Sequence, residues 1–420
     1  MQKLVHVIGA GLAGLAAAVQ LQRRGAQVVL YEAADQAGGR CRSYYDRALG
    51  ATVDSGNHVV LSGNQATLNY VRAIGSADEL VGPARPEFLF VDLTTRASWT
   101  LRLSPGRMPW WVLDAAARVP GTRLADYLSL APLLFAKPGR TIAQTIRCNG
   151  PLWDRLLRPL LLAALNVDPR DGTAELVGAV MREMLVAGGE ACRPLIARNG
   201  LSSAFIDPAL RLLQHGGASI RLGAQLKEIE FAEGRVVALQ VGDERIVLEA
   251  GEAVVLAVPP QVAQTLVPGL KAPQRFSPVV TAHFAVEPPV GQPAVLGLGN
   301  ATAEWLIAFN GRLSATINNA DRLLDTSSET LATTIWTDVA RATGLPVEPM
   351  PAWQVVVEPR ATFAALPDEE MRRPATRTRW NNLMLAGDWT ATGLPATIEG
   401  AIRSGQKAAD RLLNEPMERR

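Results

Sequence analysis

Residues 4–32 read LVHVIGAGLAGLAAAVQLQRRGAQVVLYE. Leu4 to Ile8 is a short apolar run of strand type, and Gly9, Gly11 and Gly14 follow at GxGxxG spacing. The next eleven residues are apolar at helical spacing and stop at Gly25. Gln27 to Tyr31 reads as a second strand, with Glu32 at its carboxyl end. Together these predict a βαβ unit that holds a dinucleotide. Gly9 permits the tight turn, Gly11 lets the backbone approach a pyrophosphate, and Gly14 lets the helix lie close to the strand. Leu12 and Ala13 open that helix, where unsatisfied N–H groups and the positive dipole end face phosphate. Glu32, with Ala33 beside it, is placed to accept ribose hydroxyls, and its charge disfavours the 2′-phosphate of NADP.

Glu32 is followed by AADQAGGRCRS, so that Gly38, Gly39 and Arg40 come next. A glycine pair removes side chains where the backbone passes a bulky cofactor, and Arg40 brings a fixed fork of donors for its oxygens. Cys41 reads as a small packing residue. With this fingerprint, the acid and GGR in one run, the chain resembles the flavin amine oxidase and carotenoid desaturase superfamily. The resemblance implies FAD as cofactor. It also implies an α/β fold, a Rossmann-like FAD-binding domain with a discontinuous mixed α+β substrate domain.

Residues 383–405 read LMLAGDWTATGLPATIEGAIRSG: a buried strand, Gly387-Asp388 at its tip, and the start of a closing helix from Pro395. The resemblance implies that Gly387 and Asp388 meet the ribityl-phosphate part of FAD and that Ala396, Thr397 and Ile398 face the flavin's pyrimidine edge. A helix start suits the negative charge that collects there on reduction. Glu399 reads as a first-turn dipole partner rather than a catalyst. After Gly217, short alternating strands break at Glu233-Gly234 and Gly242-Asp243 and end in the run Ala253–Val258. In the superfamily a residue matching Leu226 lies over the adenine. The expected cofactor domain is therefore 1–75, 195–265 and 375–420, and the substrate domain 76–194 and 266–374.

Bulk properties narrow the function. The chain has 420 residues, 48% hydrophobic and 20% charged, with a formal charge of +2 and no dense basic run, which argues against nucleic acid. Cys41, Cys148 and Cys192 form no CxxC pair, and His6, His58, His215 and His283 are scattered. A disulfide framework or a metal site is not expected, and a cytoplasmic location is. No apolar run is long enough for a transmembrane helix.

Amine oxidases of the superfamily usually carry a lysine near the flavin, and the strand expected to hold it, Ser277–Phe284, has none. Residues 96–140 are apolar yet basic, with Trp110-Trp111 among Arg96, Arg102, Arg107, Arg118, Arg123, Lys137 and Arg140. A peripheral contact with a membrane surface is one expectation; an ordinary helical cap with a solvated basic face is the other. Within the superfamily, residues 50–64 (GATVDSGNHVVLSGN), the segment SPVVTAHF and the closing stretch resemble the hydroxysqualene dehydroxylases, the squalene-associated FAD-dependent desaturases of bacterial squalene and hopanoid synthesis. That resemblance implies a long apolar isoprenoid substrate, hydroxysqualene, and an external reductant for the flavin. Gly56 and Asn57 are expected as neighbours of the flavin ring. Asp54 and His58 are nominated as catalytic groups for the departing oxygen, with turn structure and cofactor packing as their alternative role. A carotenoid-type desaturase, running the flavin in the opposite direction, and a non-catalytic prenyl-lipid escort of the same fold are the rival readings.

Overall fold

The computed structural model describes residues 3–414; residues 1–2 and 415–420, the ends of the expected cofactor domain, lie outside it. Five parallel strands form the first sheet, in the order Ser219–Arg221, Gln27–Tyr31, Leu4–Ile8, Ala253–Leu256, Leu383–Leu385. Helices and loops cover both of its faces, so its strands read as nearly unbroken apolar runs rather than alternating ones. Helix Leu12–Arg23 and the closing helix Ile398–Asn414 pack together on one face. They approach so closely that a Cβ on Gly405 would sit 2.0 Å from the Ala13 carbonyl oxygen.

Beside this sheet lie three antiparallel strands, Leu226–Ala232, Arg235–Val241 and Glu244–Val247. The first hairpin turns at Glu233 and Gly234, both at positive φ (+50° and +73°), as a tight primed turn requires.

The second large sheet has seven strands. Their order is Trp353–Phe363, Phe276–Phe284, Arg312–Ile317, Trp305–Phe309, Val295–Gly299, Glu87–Asp92, Ser98–Arg102. Its strands come from 76–194 and 266–374, whereas those of the parallel sheet come from 1–75, 195–265 and 375–420. One face carries Leu296, Leu306 and Ala315 against Leu331, Ile335 and Val339 of helix Ser328–Thr343. That helix is well bounded: Ser327 accepts the Thr330 N–H at its start, and Gly344 ends it in the left-handed conformation. The opposite face packs Phe90, Trp305 and Ile307 against Val119, Leu152 and Leu156 of a helical cap.

Two boundaries differ from expectation. The run from Ala253 stops at Leu256, because Val258-Pro259-Pro260 turns into helix Pro260–Leu266. The closing helix begins at Ile398 rather than Pro395, since the Thr397 hydroxyl accepts the Gly400 N–H and so serves as its cap.

Candidate active site

The carboxyl ends of the parallel strands open onto a cavity of about 610 Å³, the usual place for a ligand in such a sheet. Gly9, Gly11, Leu12 and Ala13 line it at one end. Gly9 takes φ +100°, and its N–H donates to the Tyr31 carbonyl at 2.7 Å. Gly14 lies behind the loop: a Cβ there would meet the Gly9 oxygen at 1.8 Å. At Gly11 a Cβ would meet nothing within 4 Å, so its missing side chain leaves open space. Glu32 and Ala33 line the same end. The Glu32 carboxylate is oriented by the Ala10 N–H (2.8 Å) and the Ala34 N–H (3.0 Å).

Gly38, Gly39 and Arg40 form a wall of the cavity. The Arg40 guanidinium donates to Asp388 Oδ1 at 2.6 Å and to the Ala361 carbonyl at 2.7 Å. The Asp388 carboxylate pushes the Arg40 pKa up, so the guanidinium stays charged. Leu226, Gly387, Asp388, Ala396, Thr397 and Ile398 also line the cavity. Two helix starts, Leu12 and Ile398, therefore face one space from different ends of the chain.

The segment 54–58 lies between the cavity and the seven-stranded sheet. His58 lines the cavity; Asp54, Gly56 and Asn57 are not among its lining residues. Asp54 is buried, and its Oδ1 accepts the Ser43 hydroxyl (2.6 Å) and the Leu201 N–H (2.8 Å). The Asn57 amide meets Thr316 (2.9 Å) and Ser314 (3.0 Å) on the sheet. His58 Nδ1 lies 3.0 Å from the Gly56 carbonyl, and burial lowers its pKa, favouring the neutral ring. His283, fully buried, reaches the Asp54 carbonyl through Nε2 (3.2 Å) and receives Arg312 at Nδ1 (2.7 Å). Burial first, then the nearby Arg312 charge, holds His283 down to about 3. Burial pushes the Cys41 thiol well up, which leaves it an unreactive packing group.

Several site residues carry no local sequence signal. Tyr31, Phe276, Thr362 and Phe363 line the cavity from strands whose patterns announce a core. Arg373 is buried and clamps the 388–392 loop from below, donating to the Asp388 and Thr390 carbonyls and the Thr392 hydroxyl. Glu399 is structural, though not as a simple dipole partner. Its carboxylate accepts the Ala66 and Thr67 N–H groups and so caps helix Gln65–Ile74, while Arg403 neutralises it at 2.7 Å.

The residues present fit FAD: a glycine cradle with open space at Gly11, an oriented acid at the second strand tip, and two helix starts facing one cavity. The chain matches the family model of the flavin containing amine oxidoreductases over residues 12–413. Cyclohexylamine oxidase from Brevibacterium oxydans shares the fold, with a TM-score of 0.70 at 18% identity over 99% of each chain. The fold and cavity are those of an FAD-dependent oxidoreductase, and the chain belongs to the flavin containing amine oxidoreductases and, within them, to the hydroxysqualene dehydroxylase family. It is 54% identical to a hydroxysqualene dehydroxylase of Sinorhizobium fredii over 99% of both chains. It is 43% identical to one of Zymomonas mobilis over 98% of this chain and 99% of that one.

Proposed function

We propose that this protein reduces hydroxysqualene to squalene. Kinship with hydroxysqualene dehydroxylases along the whole chain carries the reading, and the sheet strand beside the 54–58 segment supports it, bearing Thr281 and His283 but no lysine for amine oxidation. The substrate hydroxyl leaves as water, and the allylic cation that remains takes up a hydride. FAD held by these residues would supply that hydride in its reduced form and be left oxidised, and a two-electron reductant outside the chain would reduce it again. The chain's own residues keep water out, hold the cofactor through Gly9 to Gly14, Glu32, Arg40 and Asp388, and orient the substrate. His58, whose ring lines the cavity, handles the departing oxygen, and Asp54 positions its loop through Ser43 and Leu201. Gly56 and Asn57 hold the loop against the flavin side. The segments 1–75, 195–265 and 375–420 bind the cofactor, and 76–194 and 266–374 enclose the substrate.

The same reading places the cap at a membrane surface, the source of so apolar a substrate. Trp110, Leu128 and Phe135 of the cap are 60%, 66% and 81% exposed, and the charged residues Arg107, Arg123, Lys137 and Arg140 in the same stretch of chain are exposed as well. No helix among the described residues is long and apolar enough to cross a membrane. Flotation with vesicles containing anionic lipid, weakened by Phe135→Asp, tests the contact. Product analysis tests the function. Holoenzyme with a reducing system should convert hydroxysqualene to squalene; oxidised enzyme that instead desaturates a polyene precursor would reverse the assignment.

A further inference from the structure

Strands Phe276–Phe284 and Trp353–Phe363 lose their register at one place. Ser277 pairs with Thr362 and Val279 with Glu358, so Pro278 on one strand faces Pro359, Arg360 and Ala361 on the other. Neither proline has an N–H for the ladder, and a bulge is where a sheet admits such a residue. The bulge turns toward the cofactor cavity, which Glu358, Arg360, Ala361 and Thr362 all line. Its Ala361 carbonyl accepts Arg40 Nη1 at 2.7 Å, and Asp388 Oδ1 accepts Nη2 at 2.6 Å. One acceptor of the guanidinium fork thus belongs to the seven-stranded sheet and the other to the tip of the parallel sheet. A rigid planar fork meets both only if both are held in place.

Asn166 grips the strand pair next to this bulge. It ends helix Arg158–Leu165, the continuation of the cap segment that carries Leu152 and Leu156, in the left-handed conformation (φ +53°). Glycine is the usual residue at such a helix end, with asparagine after it, and the backbone is served by either. The side chain makes the difference. Its Nδ2 donates to the Ser277 carbonyl (3.1 Å) and to the Thr362 hydroxyl (2.9 Å), the register partners at the edge of the bulge. Its Oδ1 accepts the Asn319 N–H at 2.6 Å, just beyond strand Arg312–Ile317. Asn166 is 1% exposed, and both amide hydrogens and the amide oxygen are in use. One residue of the cap therefore ties three strands together where the sheet opens to present Ala361.

We propose that Asn166 is a positioning residue for the cofactor: it sets the bulge at 359–361, the bulge sets the Ala361 carbonyl, and that carbonyl with Asp388 aims Arg40 at the cofactor cavity. This role needs only the FAD site and holds whichever substrate is turned over. It makes the tightness of flavin binding depend on the seating of the cap.

The test dilutes holoenzyme variants and follows FAD release by flavin fluorescence, with urea midpoints as the separate measure of stability. Asn166→Gly keeps the left-handed turn and removes the three side-chain bonds. FAD should leave about tenfold faster, the worth of one net hydrogen bond. Arg40→Met leaves the Ala361 carbonyl without its donor. In that background Asn166→Gly should change release by less than about twofold, while its fall in urea midpoint persists, because a residue that acts through Arg40 is not additive with its loss. Thr362→Val removes a single strand contact and should speed release about threefold, again only where Arg40 is present. If Asn166→Gly yields no holoenzyme, Thr362→Val decides by the same comparison. Parental release rates, or an acceleration of equal size with and without Arg40, overturn the assignment.

Discussion

Replacing Arg373 with alanine removes the side chain that joins the two ends of the 388–392 loop, which borders the cavity. The guanidinium is fully buried, and all three of its nitrogens are engaged. Nε donates to the Thr390 carbonyl (2.9 Å), Nη2 to the Asp388 carbonyl (2.9 Å) and the Thr392 hydroxyl (2.7 Å), and Nη1 to Glu370 Oε2 (2.7 Å). Its guanidinium carbon lies 4.7 Å from the centre of the Phe363 ring, a cavity wall. Burial already raises the Glu370 pKa, and Arg373 opposes that rise. Truncation leaves a buried carboxylate without its partner, which costs about 3–5 kcal/mol. Removing both charges in Arg373→Met with Glu370→Leu should return most of that stability, because the uncompensated charge is gone. FAD retention should stay impaired in the double variant, since the Asp388 and Thr390 carbonyls remain unclamped. Urea unfolding measures the first effect and bound-flavin absorbance after dialysis the second. A single variant with parental stability and flavin content, or a double variant no more stable than the single, would refute the reasoning.

Gly14→Ala should loosen FAD binding ten- to a hundredfold, because its Cβ meets main chain at 1.8 Å and the forced shift costs about 1–3 kcal/mol; fluorescence titration of apoprotein with FAD measures it. If His58 has the proposed role it donates a proton only when charged, and burial lowers its pKa, so the dehydroxylation rate should rise as pH falls below 6.5. That limb of the pH profile should vanish in His58→Gln. His283, at about 3 in the fold against 6.5 unfolded, contributes stability that is complete above pH 6.5 and is lost as pH falls toward 3. The loss approaches about 5 kcal/mol at 1.36 kcal/mol per unit; urea midpoints at pH 7, 5 and 4 should show it, with a shallower fall in His283→Asn.

Much of the cofactor half is legible in the sequence because its parts are local. Gly9, Gly11, Gly14 and Glu32 act within one βαβ unit, where spacing alone places a loop at a strand end. Asp388 is readable for a similar reason: a short buried run followed by Gly-Asp leaves the acid at the strand tip. The remainder depends on contacts between residues far apart in the chain. Glu399 caps a helix more than 300 residues away, and Arg40 reaches Ala361 and Asp388 across similar separations. Arg373 lies in the run DEEMRRP, which reads as a charged surface segment, yet it is buried.

The most direct test of the dehydroxylase account is a single turnover. Holoenzyme is photoreduced without oxygen and mixed with hydroxysqualene while the flavin spectrum and the extracted lipids are followed together. The account predicts flavin reoxidation with one squalene formed per flavin oxidised. A flavin that stays reduced while hydroxysqualene is recovered intact would contradict it.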